Sequence, residues 1–279
     1  LTPGTTYEYQ VLEGDKVSNQ TCEFTTEAAL QLPNSGFENW SGDSPKLIHG
    51  SGEEMFWDSG NHGSATLKEN VTTPDGSVKH GGNYSAKLES KFVAFLGIGK
   101  FAAGNLFVGK FIGTEETYYG ILGWGRPWKS RPLALRAWVR YTPGSVDYTE
   151  TDKIKKGDQD KGIIYIAVGD WTSNDAHYGS QWPVVVRTLG PSLFNPKDKG
   201  TIGYGEMIFT GKTEENGSLK EVIIPIDYTN YGGTERIPTH IIVVASSSQY
   251  GDYYSGSTSS KMWLDDLELI YEESKLSKQ

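Results

Sequence analysis

The sequence predicts an all-β chain built as a two-sheet jelly-roll β-sandwich. Three observations predict it. Short segments of period-two alternation or unbroken apolar residues recur between turn signals, and no segment sustains a 3.6-residue apolar period with helix caps. The 34 glycines and 12 prolines among 279 residues supply more turns than an ordinary globular chain carries. The 8 Trp, 16 Tyr and 10 Phe suit strands and stacking surfaces.

At the start, Tyr7, Tyr9 and Val11 alternate onto one face of a strand, Glu13-Gly14-Asp15 forms a polar turn, and Cys22 to Thr26 reads as the partner strand. The Leu-x-Pro ahead of Tyr7 resembles the tyrosine corner of immunoglobulin-like and fibronectin type III modules. Such a sandwich takes about seven strands, so residues 1–28 are expected to be the C-terminal remnant of one. Composition changes after Ala29, and residues 29–273 are expected to form the jelly roll, with 274–279 a frayed tail. Within it Leu133, Leu135, Ala137 and Val139 oppose Arg136, Trp138 and Arg140, the pattern of a half-solvated antiparallel strand. Ile163–Val168, Val222–Ile226 and Ile241–Ala245 are apolar on both faces and are expected to be buried, and Met262 to Tyr271 closes the domain. Lys153 to Gly162 reads as a charged loop.

Charge narrows the function. A formal net charge of −9 gives no broad positive field, which excludes nucleic acid as a partner. The apolar runs fall far short of the roughly 20 residues that span a bilayer, so no transmembrane segment is expected in this chain, and an export signal would already have been removed. The single cysteine, Cys22, excludes an internal disulfide. The five histidines are isolated and offer no zinc motif, Gly42-Asp43-Ser44-Pro45 lacks the closing glycine of a nucleophile elbow, and Gly97-Ile98-Gly99-Lys100 lacks the spacing of a phosphate loop.

The informative residue is an acid on an apolar face. Strict alternation from Met262 puts Trp263, Asp265, Leu267, Leu269 and Tyr271 on one side, where an unpaired carboxylate would cost several kcal/mol. A calcium ion would neutralise it, and so would hydrogen bonds or a lysine. Asn34-Ser35-Gly36-Phe37-Glu38 and Leu264-Asp265-Asp266-Leu267 resemble the paired first and last strands of jelly-roll carbohydrate-binding modules. That resemblance implies a structural calcium shared by Glu38 and Asp265.

A closer resemblance covers residues 30 to 273. The strings Leu32-Pro33-Asn34-Ser35-Gly36-Phe37-Glu38-Asn39-Trp40, Trp57-Asp58-Ser59-Gly60-Asn61, Gly99-Lys100-Phe101-Ala102-Ala103-Gly104-Asn105-Leu106-Phe107, Arg131-Pro132-Leu133-Ala134-Leu135 and Ala245 to Tyr254 resemble the putative carbohydrate metabolism domain (PCMD). It implies a jelly roll preceded by an immunoglobulin-like module. It also implies a protein exported to the cell surface or periplasm, lipid-anchored in its full-length precursor.

Sugars present apolar C–H faces and a frame of hydroxyls, so aromatic rings set among carboxylates, amides and Arg are the parts of a glycan site. Trp57, Asp58, Asn61, Trp124, Arg126, Trp128, Arg131, Trp171, Asp252 and Tyr253 occupy such turn-rich strings and are the expected ligand-binding residues, with Arg126 and Arg131 able to take an acidic sugar. A non-catalytic carbohydrate-binding surface protein taking a poly- or oligosaccharide is the expected function. The alternatives are a glycoside hydrolase or lyase using two of Glu53, Glu54, Asp58, Asp170 and Asp252, and a structural or adhesive module with surface-protein partners.

Overall fold

The computed structural model describes residues 2–95, 98–116, 119–173, 175–190, 192–213, 216–233 and 235–276. Gly97, Asn174 and the last three residues of the expected tail lie outside them. The strands are β1 (Thr6–Glu13), β2 (Lys16–Thr25), β3 (Trp57–Ser59), β4 (Thr72–Asp75), β5 (Ser85–Glu89), β6 (Lys91–Phe95), β7 (Ile98–Ala102), β8 (Asn105–Glu115) and β9 (Tyr119–Trp124). They continue with β10 (Arg126–Pro127), β11 (Ala134–Thr142), β12 (Gly162–Gly169), β13 (Val184–Arg187), β14 (Thr201–Phe209), β15 (Lys220–Pro225), β16 (His240–Ser246) and β17 (Lys261–Ile270). One short helix, α1 (Asn61–Ser64), follows β3. Among the described residues no helix is long and apolar enough to cross a membrane.

Two antiparallel sheets face each other as a jelly-roll sandwich. The larger runs β13-β9-β8-β16-β12-β14, with β3 added to β8 and β10 to β16; the smaller runs β15-β11-β17-β5-β4. Their facing sides supply one core, in which Leu106, Ile166 and Val243 of the large sheet meet Leu135, Val139, Ile224 and Leu264 of the small one, all essentially without solvent exposure. The apolar runs of β12 and β16 are central strands, as expected. β15 differs: it lies at the sheet edge, with Val222 and Ile224 inward and Pro225 exposed, because only one face of the small sheet packs on the core.

β17 corrects the expected alternation. Its register with β11 slips between Arg136 and Trp138, so Arg136 pairs with Glu268 while Trp138 pairs with Asp265. This bulge, with Asp266 at φ 43°, shifts the inward set to Met262, Leu264, Leu267 and Leu269. Asp265 therefore shares a face with Trp263 and not with Leu267, on the outside of the small sheet beneath the 80–84 loop. The β1–β2 hairpin forms a two-stranded sheet of its own. The Thr2 backbone N–H donates to the Tyr7 hydroxyl at 2.7 Å, the bond a tyrosine corner would make.

Candidate functional site

The side of the large sheet that turns away from the sandwich core is also apolar. Phe107 of β8, Leu122 and Trp124 of β9, Ala167 of β12 and Ile242 and Val244 of β16 form a second cluster, with Trp171, Leu193 and Phe194 of the long 170–195 segment packed on it. In register Phe107 stands beside Val244, and Val244 beside Tyr165. At one end of this cluster lies a cavity of about 420 Å³. Its walls are α1 and the turn after it, β7, β8, β9, Thr188, and the short turn from Gly251 to Tyr254. The lining is mostly apolar, with Leu67, Val93, Phe101, Phe107, Phe111 and Leu122, and a few polar groups converge on it.

Among the described residues lining this cavity, Asp252 is the one carboxyl group. It accepts no hydrogen bond from a described residue, and burial pushes its pKa up to about 6. The turn carrying it packs backbone against the β7–β8 connection, where a Cβ on Gly251 would stand 2.4 Å from the Ala103 Cβ. The rim is tied by a chain of contacts that includes the same turn. Lys100 Nζ lies 2.7 Å from Glu150 and 4.8 Å from the Tyr254 ring centroid; the Tyr254 hydroxyl pairs with Thr188 Oγ1 at 2.6 Å; and Thr188 Oγ1 accepts the Gly120 N–H. Asn105 Oδ1 accepts the Gly60 N–H at 2.8 Å. A recess of about 60 Å³ adjoins the cavity, sharing Asn105, Phe107, Leu122, Gly251 and Asp252 and adding Trp124, Tyr165 and Gln249 among others.

Of the ten residues expected to bind ligand, Asp252 alone lines the main cavity, and Trp124 joins it at the recess. Trp57 and Trp128 are core residues, 0% and 6% exposed, Trp57 giving its indole N–H to the Pro33 carbonyl at 2.7 Å. Asp58 is buried, accepts the Ser59 and Phe111 N–H groups, and lies 3.2 Å from His62 Nε2, a hydrogen bond that raises the pKa of His62. Asn61 is fully buried and joins Lys46 to Thr72 through four backbone hydrogen bonds. Arg126 donates to the Met55 carbonyl and stacks over Trp182 at 5.3 Å, while Arg131 is paired with Glu27. Trp171 bonds Thr201 Oγ1 and borders a separate pocket of about 300 Å³ with Arg187 and Phe194. Tyr253 lies half-buried with Lys153 over its ring. These residues do not converge because the turn signals around each tryptophan mark where a strand ends, not which side of the sheet its ring enters.

Of the candidate carboxylates, Asp252 alone lines the cavity. Glu53 caps Gly50 and Asn39, and Asp170 is paired with Arg236. Of the polar residues at the cavity and its recess, Lys100, Asn105, Gln249, Asp252 and Tyr254 fall in two of the strings that carry the family resemblance, 99–107 and 245–254, while Ser64, Thr114 and Thr188 lie outside them. Those strings held the signal; the choice of aromatic residues within them did not.

Glu38 and Asp265 both grip the 80–84 loop. Asp265 Oδ2 accepts the His80 and Gly81 N–H groups at 2.6 and 3.1 Å, and its Oδ1 accepts the Asp266 N–H. Burial raises the pKa of Asp265. For Glu38 burial acts in the same direction but is outweighed by hydrogen bonds from Tyr84 and Asn83, and its pKa is lowered. Backbone N–H groups of residues 80, 81, 83 and 84 are directed at these oxygens. This donor pattern lets the two carboxylates clasp the loop.

Comparison with known proteins agrees with the fold. A putative glycoside hydrolase from Bacteroides vulgatus ATCC 8482 superposes with a TM-score of 0.61 at 20% identity, covering 85% of this chain and 97% of that one. A putative glycoside hydrolase from Bacteroides thetaiotaomicron VPI-5482 gives 0.61 at 19% identity, covering 96% and 80% respectively. No curated protein matches the sequence. The model of the putative carbohydrate metabolism domain matches residues 35–270, the whole sandwich with both walls of the cavity, and the chain belongs to that family.

Proposed function

We propose that the protein binds an oligo- or polysaccharide, without turning it over, in the cavity beside Asp252. The observation that carries this reading is Asp252 itself: a half-buried carboxyl group at the wall of a mostly apolar cavity, left without a donor among the described residues, is matched by a ligand rich in hydroxyls over apolar C–H faces. Hydrolysis by the usual route takes two carboxyl groups roughly 5–10 Å apart, and the described lining holds one. The resemblance of the sequence strings supports export to the cell surface or periplasm as the setting for glycan capture.

A glycan array followed by assay for reducing ends on its hits tests the proposal. Binding without release is expected, and it should be lost in Asp252→Ala at unchanged fold. Release of reducing ends would make the protein a hydrolase, and the absence of any hit would leave a structural or adhesive module that meets other surface proteins.

A further inference from the structure

The recess beside the main cavity carries polar groups that the fold leaves unpaired. The Trp124 side chain is 2% exposed, and its Nε1–H, wholly buried, has no acceptor among the described residues. Gln249 Oε1 is likewise buried without a donor. Both residues line the recess, and Asp252 stands where the recess meets the cavity. An orphaned buried donor and an orphaned buried acceptor each destabilise a fold, which retains them where something else completes them. The volume of about 60 Å³ has room for two or three groups of water size.

We propose that this recess receives the hydroxymethyl group of a neutral hexopyranose. A primary alcohol is both acceptor and donor: its oxygen takes the Trp124 N–H while its O–H is given to Gln249 Oε1. Its methylene lies against Phe107 and Leu122, and the ring then remains in the larger cavity with Asp252 in reach of ring hydroxyls. A pentopyranose, whose C5 is in the ring, has nothing to place in the recess and leaves both groups unpaired. A uronic acid offers no donor to Gln249 and sets its carboxylate beside that of Asp252. The site therefore selects neutral hexopyranoses over pentopyranoses and uronic acids. This inference rests on the proposed glycan function and adds the sugar class to it.

The test uses the whole chain and three sets of methyl glycosides titrated by ligand-observed NMR: hexosides of glucose, galactose and mannose, the xyloside, and the corresponding uronides. At least one hexoside should bind roughly ten-fold more tightly than the xyloside and its own uronide, as loss of paired buried hydrogen bonds requires. Gln249→Met, which keeps side-chain volume and removes the acceptor, should close the gap between hexoside and xyloside. Equal binding of hexosides and xyloside, or a gap unchanged in Gln249→Met, overturns the recess assignment and leaves the glycan site standing. Binding of none of these probes, together with no hit on the array, overturns the glycan reading and this inference with it.

Discussion

Asp160 Oδ2 accepts the Ser248 hydroxyl at 2.6 Å and the Ser257 backbone N–H at 2.8 Å, and so closes the base of the loop whose middle carries Asp252. The Ser260 hydroxyl donates to the same oxygen, and the Lys161 N–H donates to Oδ1. Asp160 is fully buried, and burial raises its pKa. Asp160→Ala orphans several buried donors at once and should cost on the order of 3 kcal/mol in urea unfolding. Amide exchange should rise most between residues 248 and 257. Uniform destabilisation with unchanged relative protection of that loop would count against the clasp.

Asp252 should show the opposite sign. Well below roughly pH 3.9, the value for an unfolded chain, the group is protonated in both states and costs little. As the pH rises through about 6 the native state must ionise it against burial, and stability is lost. Asp252→Asn should therefore be more stable than the parent by on the order of 2 kcal/mol at pH 8 and equal to it near pH 3, while glycan affinity falls. Equal urea midpoints at pH 8 would contradict the assigned environment.

These two acids show what was legible in the sequence. The apolar runs of β12 and β16 and the alternation of β11 could be read because burial on two faces or one is written in neighbouring residues. Asp252 could be named as a polar residue in an aromatic loop, but its lack of a partner depends on Asp160, distant in sequence, and on the β7–β8 connection. The bulge at Asp266 was illegible because a period-two reading has no mark for one extra residue.

Trp57 tests the boundary between core and site. It is packed against Phe37 and Phe56, with ring centroids 5.7 and 5.6 Å away, and gives its N–H to Pro33. Trp57→Ala should lower stability by about 3–5 kcal/mol, and Trp57→Phe by less, with any loss of binding following the loss of fold. A Trp57→Ala protein that melts like the parent yet fails to bind a glycan would return this tryptophan to the site.

Calcium at Glu38 and Asp265, implied by resemblance, is decided by chelation. The backbone donors already directed at both carboxylates predict a melting temperature unmoved by excess chelator. Asp265→Ala should nevertheless cost on the order of 3 kcal/mol, because the His80, Gly81 and Asp266 N–H groups lose their acceptor. A chelator-induced drop in melting temperature, restored by added calcium, would establish the ion.

The β1–β2 hairpin should be the weakest part of the protein. Its only ladder is internal, from Thr6 opposite Thr25 to Glu13 opposite Lys16, and within the described residues no other strand pairs with either edge. Val11, Leu12 and Val17 are 60%, 67% and 53% exposed, so its tip buries little apolar surface. It is held at its base, by Tyr7 stacked on Phe24 and, just beyond the strands, by Glu27 with Arg131 and the Ser130 hydroxyl on the Ala28 carbonyl. An isolated two-stranded ribbon is marginal in water, whereas β12 is paired on both sides and packed on both faces. Amides of residues 8–23 should therefore exchange orders of magnitude faster than those of 163–168. Adding the missing strands of an immunoglobulin-like module ahead of this chain should slow them, if the hairpin is the end of such a module. Protection equal to that of β12 in the present chain would show that the ribbon folds with the sandwich and needs nothing before it.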